Sequence, residues 1–169
     1  MGTGNAGDYV YGDVVAFPFG YGLSYTDFEY SDMQVVYDKD SDQFRITLKV
    51  TNIGKEYSGK ETVQIYVQSP YTEYDKEYGV EKASVALCGF GKTDILAPGQ
   101  SEILTIHVDK RELASYDTYG AGTYILDAGE YYLTAATDAH NAINNILAAK
   151  GYDASNTANR MDGEGDATL

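Results

Sequence analysis

The chain has 169 residues, 43% of them hydrophobic, with 26 acidic against 12 basic side chains and a formal charge of -14. That is enough for one ordinary core, and it excludes wholesale disorder. It also argues against nucleic acid as partner, because binding a phosphate backbone needs a positive face. No stretch has the length of a membrane span, and Met1 to Asn5 lacks the basic start and apolar centre of a signal peptide. Neither a membrane nor a nucleic-acid partner is therefore expected.

Cys88 is the single cysteine, so an internal disulfide is excluded and a reducing, cytoplasmic compartment is mildly favoured. The glycine-rich start fits a fragment boundary equally well and does not locate the parent protein. Cys88 follows the apolar Val85, Ala86 and Leu87, which predicts a buried, inert thiol and not a nucleophile.

Taken in chain order, Phe28 and Tyr30 keep one phase while Met33, Val35 and Tyr37 keep the other. A strand that slips at Ser31 and Asp32, through a bulge or a strand switch, would produce this. Phe44, Ile46, Leu48 and Val50 then alternate with Arg45, Thr47, Lys49 and Thr51, the period of a strand with one wet face. Val63, Ile65 and Val67 alternate in the same way, and Gly54 and Gly59 mark the connection, so these two strands are expected to pair or to face one another. Further strands are predicted around Leu87 to Thr93, at Leu104, Ile106 and Val108 after the turn at Ala97, Pro98 and Gly99, at Thr123 to Asp127, and at Tyr131, Leu133 and Ala135. The sum is about seven short strands, the number expected for an immunoglobulin-like β-sandwich in the all-β class.

After the strands the pattern changes. Asp138 suits an N-cap, Ala142, Ile143, Ile146 and Leu147 share one face at helical spacing, and Gly151 closes a short helix. At about three turns it is too short to stand alone, so its apolar face must dock on the sandwich or a neighbouring domain. Asp153 to Leu169 lacks periodicity and reads as a linker or tail. The expected organisation is a connecting segment over 1–26, the sandwich over 27–138, the helix over 139–151 and a flexible linker or tail over 152–169.

Three strings point to one family. Val14 to Thr26 reads VVAFPFGYGLSYT, Val50 to Pro70 reads VTNIGKEYSGKETVQIYVQSP and Leu87 to Gln100 reads LCGFGKTDILAPGQ. In this order and at these spacings the chain, over roughly Val14 to Thr137, resembles the C-terminal part of family three glycoside hydrolases, the β-glucosidases and β-xylosidases. The first string is the specific one; NxG or PG alone would carry nothing. The resemblance implies that the string joins a catalytic domain to a fibronectin type III-like domain, with Phe17, Phe19, Tyr21 and Leu23 at the interdomain contact. An equally weighted alternative is that each ring fills the end of the sandwich itself. A large exposed aromatic patch would favour the contact.

The chain departs from the family in its loop Tyr71 to Ser84, which lacks the expected prolines, and at Cys88, where a polar or basic residue is common. The helix extends past the usual end of this domain. It resembles a subset of the family in which domain order is rearranged, which would make the segment from Asp153 an interdomain linker.

Catalytic residues are not expected here. Retaining glycosidases need two carboxyl groups about 5–5.5 Å apart, and the resemblance places both in other domains, the nucleophile within a Ser-Asp-Trp string. This chain has no tryptophan, and Ser31, Asp32 and Met33 match by accident. Asp38, Asp40 and Asp42 imitate the start of a calcium loop, but Gln43 stands where glycine is needed and Lys49 where glutamate is needed, so an acidic hairpin turn is the better reading. Asp162 to Asp166 reads as a solvated tail. His107 and His140 lack a cysteine cluster to suggest zinc. No metal or cofactor is expected.

The remaining feature is the tyrosine load, 17 residues, with Tyr57, Tyr66, Tyr71, Tyr74 and Tyr78 in or beside one long connection. Sugars stack on aromatic faces, which makes Tyr71, Tyr74 and Tyr78 the candidate carbohydrate contacts. Tyrosine is also simply suited to strands and sandwich edges, and that reading is preferred. Three functions therefore stand: a non-catalytic accessory domain packing against the catalytic domains of a β-glucosidase-like enzyme, a carbohydrate-binding module, and, more weakly, a free-standing adhesion-type fibronectin domain. The sandwich alone does not choose among them.

Overall fold

The computed structural model of the chain describes residues 15–155, 161 and 163–169. Met1 to Asn5, Val14 and Asp162, which entered the sequence reading, lie outside the described residues. Among the described residues, no helix is long and apolar enough to cross a membrane.

Two three-stranded antiparallel sheets face one another. The first has the order β1 (Phe28–Asp38), β2 (Gln43–Asn52) and β5 (Ser101–Asp109). The second has the order β4 (Ala86–Lys92), β3 (Thr62–Gln68) and β8 (Tyr132–Ala136). The alternation in β2 and β3 places Ile46, Leu48, Val50, Val63, Ile65 and Val67 in one buried cluster with Ile106, Val108 and Ala135. β2 and β3 thus lie in different sheets and face each other across the core instead of pairing. Where β4 crosses β5 the sheets approach closely: a Cβ on Gly89 would lie 2.8 Å from Val108 Cγ2, closer than packed carbon atoms tolerate.

The expected phase slip in β1 is present. Its pairing with β2 shifts between Ser31 and Gln34, and Asp32 has a positive φ of 56°. The shift lets Phe28, Tyr30 and Met33 all reach the core.

Three expectations are corrected. Thr123 to Asp127 does not add a strand to the sandwich: β7 (Thr123–Ile125) pairs only with β6 (Ser115–Asp117), in a separate two-stranded ribbon. The connection from Tyr71 to Ser84 is not all loop. It contains a helix, α1 (Glu73–Tyr78), whose N-cap Thr72 and N3 residue Asp75 form a reciprocal capping box. The final helix, α2 (Ala139–Ala149), starts at Asp138 as expected, with Asp138 Oδ1 accepting from the backbone of His140 and Asn141 at 2.9 Å each. Its buried residues, however, are Ala142, Asn144, Asn145 and Ile146, while Ile143 and Leu147 are half-buried. The polar pair is covered because Asn145 Nδ2 donates to the Ala135 carbonyl of β8 (3.1 Å), and residues 163–166 return to α2, where Asp166 N donates to Asn145 Oδ1 (2.8 Å). That return also bears on the tail. The described part has no helix or strand, yet Met161 is buried and Asp166 is bonded to the helix.

A polar hub fastens the sandwich's end. Asn52 is fully buried, and its Nδ2 donates to the carbonyls of Tyr57 and Leu96 at 2.9 Å each. Its Oδ1 accepts from Thr26 Oγ1 at 2.6 Å and from Gly54 N at 3.0 Å. A buried amide is tolerated only with its bonds made, so this residue pins four chain segments at once.

Candidate functional site

The aromatic string before β1 is held by its backbone and presents its side chains. Gln64 Nε2 of β3 donates to the Gly20 carbonyl (2.9 Å), and Ala139 N, at the start of α2, donates to the Phe19 carbonyl (2.9 Å). Tyr21 N closes a turn onto the Pro18 carbonyl at 3.1 Å. Gly20 sits at φ 87°, a backbone angle that favours glycine, and a Cβ there would lie 2.2 Å from Gln64 Oε1 and displace the amide that holds the string. The side chains point away from this anchor: Phe17 is 69% exposed, Phe19 66%, Tyr21 46% and Leu23 89%. Phe17 and Tyr21 pack ring to ring at 5.1 Å, and Tyr25 lies 6.3 Å from Tyr57. These side chains do not fill the end of the sandwich.

The tyrosines of the long connection are not gathered into one site. Tyr66 is buried on the outer face of β3 with Ala136 and Ala142, and burial, then the charge of Asp138, push its phenol up to about 12. Tyr74 and Tyr78 stack on one another at 4.5 Å, and Tyr74 OH donates to Asp117 of the ribbon at 2.7 Å. Tyr71 instead lines an open cleft of about 810 Å³ with Gln68, Glu130, Tyr132, Lys150 and Tyr152. Sequence reasoning missed Tyr132 and Tyr152, because they belong to β8 and to the segment after α2, far along the chain.

Beside the cleft lies a buried ionic group that the sequence did not announce. Lys82 Nζ is 2.8 Å from Asp75 Oδ2 and 2.6 Å from Asp127 Oδ2, and it donates to the Pro70 carbonyl at 2.8 Å. Burial opposes the charge on Asp75, but hydrogen bonds from Lys82 and from Thr72 outweigh it and hold its carboxyl below the usual range. Burial likewise works against the Lys82 charge, and its bonds to Asp127 and Asp75 prevail and raise it.

Residues 61–139 match the family of fibronectin type III-like domains. The chain is 45% identical over 134 residues to a β-glucosidase of Ruminococcus albus, covering 77% of this chain and 13% of that protein. It is 40% identical over 121 residues to thermostable β-glucosidase B of Acetivibrio thermocellus, covering 69% and 15%. This chain carries a fibronectin type III-like domain of the β-glucosidase type. A β-glucosidase structure from Paenibacillus barengoltzii superposes on the domain with a TM-score of 0.66 at 38% identity, covering 76% of this chain and 14% of that one. β-Glucosidase 3B of Thermotoga neapolitana does so with a TM-score of 0.63 at 34% identity, covering 77% and 16%. The chain therefore spans 13 to 16% of the length of these relatives. The resemblance to family three glycoside hydrolases read from the three strings holds.

Asp75 and Asp127 beside the cleft, and Asp38 and Asp42 in the β1–β2 hairpin, are engaged in the domain's own structure. A glycosidase acid needs a raised pKa; Asp75 is shifted down and shares its lysine with Asp127, while Glu61, which burial raises, accepts from Tyr30 OH at 2.5 Å. In the β1–β2 hairpin, Asp38 Oδ1 accepts from Asp40 N at 2.9 Å, Tyr37 OH donates to Asp42, and Lys110 lies 3.5 Å from Asp42. Among the described residues, no group of three or more His, Cys, Asp or Glu is placed to hold a metal ion.

Proposed function

We propose that this chain is a non-catalytic accessory domain of a larger β-glucosidase-like glycoside hydrolase, and that Phe17, Phe19, Tyr21 and Leu23 pack against its catalytic domains. The observation that carries the reading is the string itself. Its backbone is bonded to β3 and α2, so exposing four large apolar side chains is a built arrangement and not a fraying end. Exposed apolar surface of this kind marks a docking face. The match to a small share of much longer β-glucosidases supports such a partner and weighs against a free-standing adhesion domain.

The reading is tested in two arms. The purified chain is expected to leave an aryl β-glucoside intact; turnover would refute the non-catalytic role. In the parent enzyme, Phe19→Ser combined with Leu23→Ser is expected to lower thermal stability, while the same changes leave the melting of the isolated chain unaltered. Equal loss in both would assign the side chains to the domain's own packing.

A second reading, carbohydrate binding, is favoured by Tyr71, an exposed ring that lines a cleft and is not spent on the fold. It is compatible with the first, because a domain can dock on one face and hold polymeric substrate on another.

A further inference from the structure

We propose that the cleft between the β3–α1 connection, the β7–β8 turn and the end of α2 binds a neutral oligosaccharide, with Tyr71 and Tyr152 as its stacking platforms. The inference rests on the carbohydrate-binding reading and moves its site, retaining Tyr71 and replacing Tyr74 and Tyr78.

A sugar ring has an apolar C–H face and a rim of hydroxyls, so its site needs flat rings for the face and fixed donors and acceptors around them. Tyr71 is 58% exposed and Tyr152 44%, and both line the cleft. Tyr74 and Tyr78 are spent on each other and on Asp117. Tyr132 forms a wall, with Lys150 Nζ 4.5 Å from its ring centroid.

The polar rim is held in advance. Gln68 Nε2 donates to the Ser84 carbonyl at 2.8 Å, which turns its Oε1 to accept from Lys150 Nζ. Tyr132 OH donates to Glu130 Oε2 at 3.2 Å. Side chains already bonded lose little freedom when a ligand arrives.

Charge selects the ligand class. Lys82 also lines the cleft, but Asp75 and Asp127 more than offset it, and with Lys150 balanced by Glu130 the group carries about one net negative charge and no surplus of positive charge. An anion would find no attraction, and the excess negative charge sits on carboxylates already bonded to Lys82, whereas a polyhydroxylated neutral molecule finds donors and acceptors together. At about 810 Å³ the cleft lies in the range of about 300–1,000 Å³ typical of small-ligand sites, and being open it admits a chain.

The test is calorimetric titration of the 169-residue chain with cellotetraose. Saturable binding is expected. Tyr71→Ala combined with Tyr152→Ala should weaken it by roughly tenfold or more, while Tyr78→Ala leaves it unchanged. On the unaltered chain, amide chemical shifts should move at Ser84, Glu130 and Tyr152, a readout that needs no variant. Binding that survives the double substitution and falls with Tyr78→Ala, or shifts confined to α1, would overturn the cleft while sparing the carbohydrate-binding reading. No binding at millimolar sugar would overturn both.

Discussion

Gln64 bonds Gly20 across 44 positions of sequence, its Nε2 donating to the Gly20 carbonyl at 2.9 Å and to the Thr137 carbonyl at 2.7 Å. One side chain thereby ties the aromatic string to the segment that starts α2. Its Oε1 also accepts from Tyr66 OH at 2.7 Å, so Gln64→Ala is expected to cost about 2–3 kcal/mol, the net worth of three partly exposed hydrogen bonds. Amide exchange should quicken at Ala139, which donates to Phe19, while the amides of β2 keep their protection. Unchanged exchange at Ala139 would show that the string is held by other contacts.

Removing the cation from the buried ionic group should be far more damaging. In Lys82→Met the carboxylates of Asp75 and Asp127 lose their shared partner, and breaking a buried ion pair from one side costs about 3–5 kcal/mol. The midpoint of urea unfolding measures it, and a drop below about 1 kcal/mol would place the group in the class of surface pairs.

The same group sets a pH dependence. The folded pKa of Asp75 is depressed, so its contribution is present above the unfolded value of about 4 and disappears as pH falls through the folded one. The folded pKa of Lys82 is raised, so its contribution is complete below the unfolded value of about 10.4 and is lost as pH rises through the folded one. The stability gap between the unaltered chain and Lys82→Met should therefore be widest near neutrality and close at both extremes. A gap that is constant with pH would contradict this.

Cys88 offers a check on the sandwich. Burial pushes its thiol up to about 12, and Sγ donates to the Ile65 carbonyl at 3.4 Å. With almost no thiolate at neutral pH, the folded chain should react very slowly with an aromatic disulfide reagent and release one equivalent promptly in denaturant. Fast labelling of the folded chain would mean that β4 opens readily.

The strands were legible because alternation is a local property. Ile46, Leu48 and Val50 declare their face without reference to any partner. The Asp138 N-cap and the slip at Ser31 and Asp32 were legible for the same reason, since a cap and a change of phase are written in neighbouring residues. The short ribbon misled because Thr123 to Asp127 has strand character, and strand character does not say which sheet a strand joins.

Polar partners came only with the tertiary structure. Nothing local in the sequence marks Asn52, which bonds Thr26, Tyr57 and Leu96, or Lys82, which is the centre of a buried triad. The string before β1 identified the family, but whether its rings faced inward or outward depended on where Gln64 and Ala139 met its backbone. Tyr71, Tyr74 and Tyr78 are close in sequence, but the chain's path sends the first to a cleft, the second to the ribbon and the third onto the second. A face can be read from period two; a hydrogen bond or a cleft needs two distant segments at one point in space.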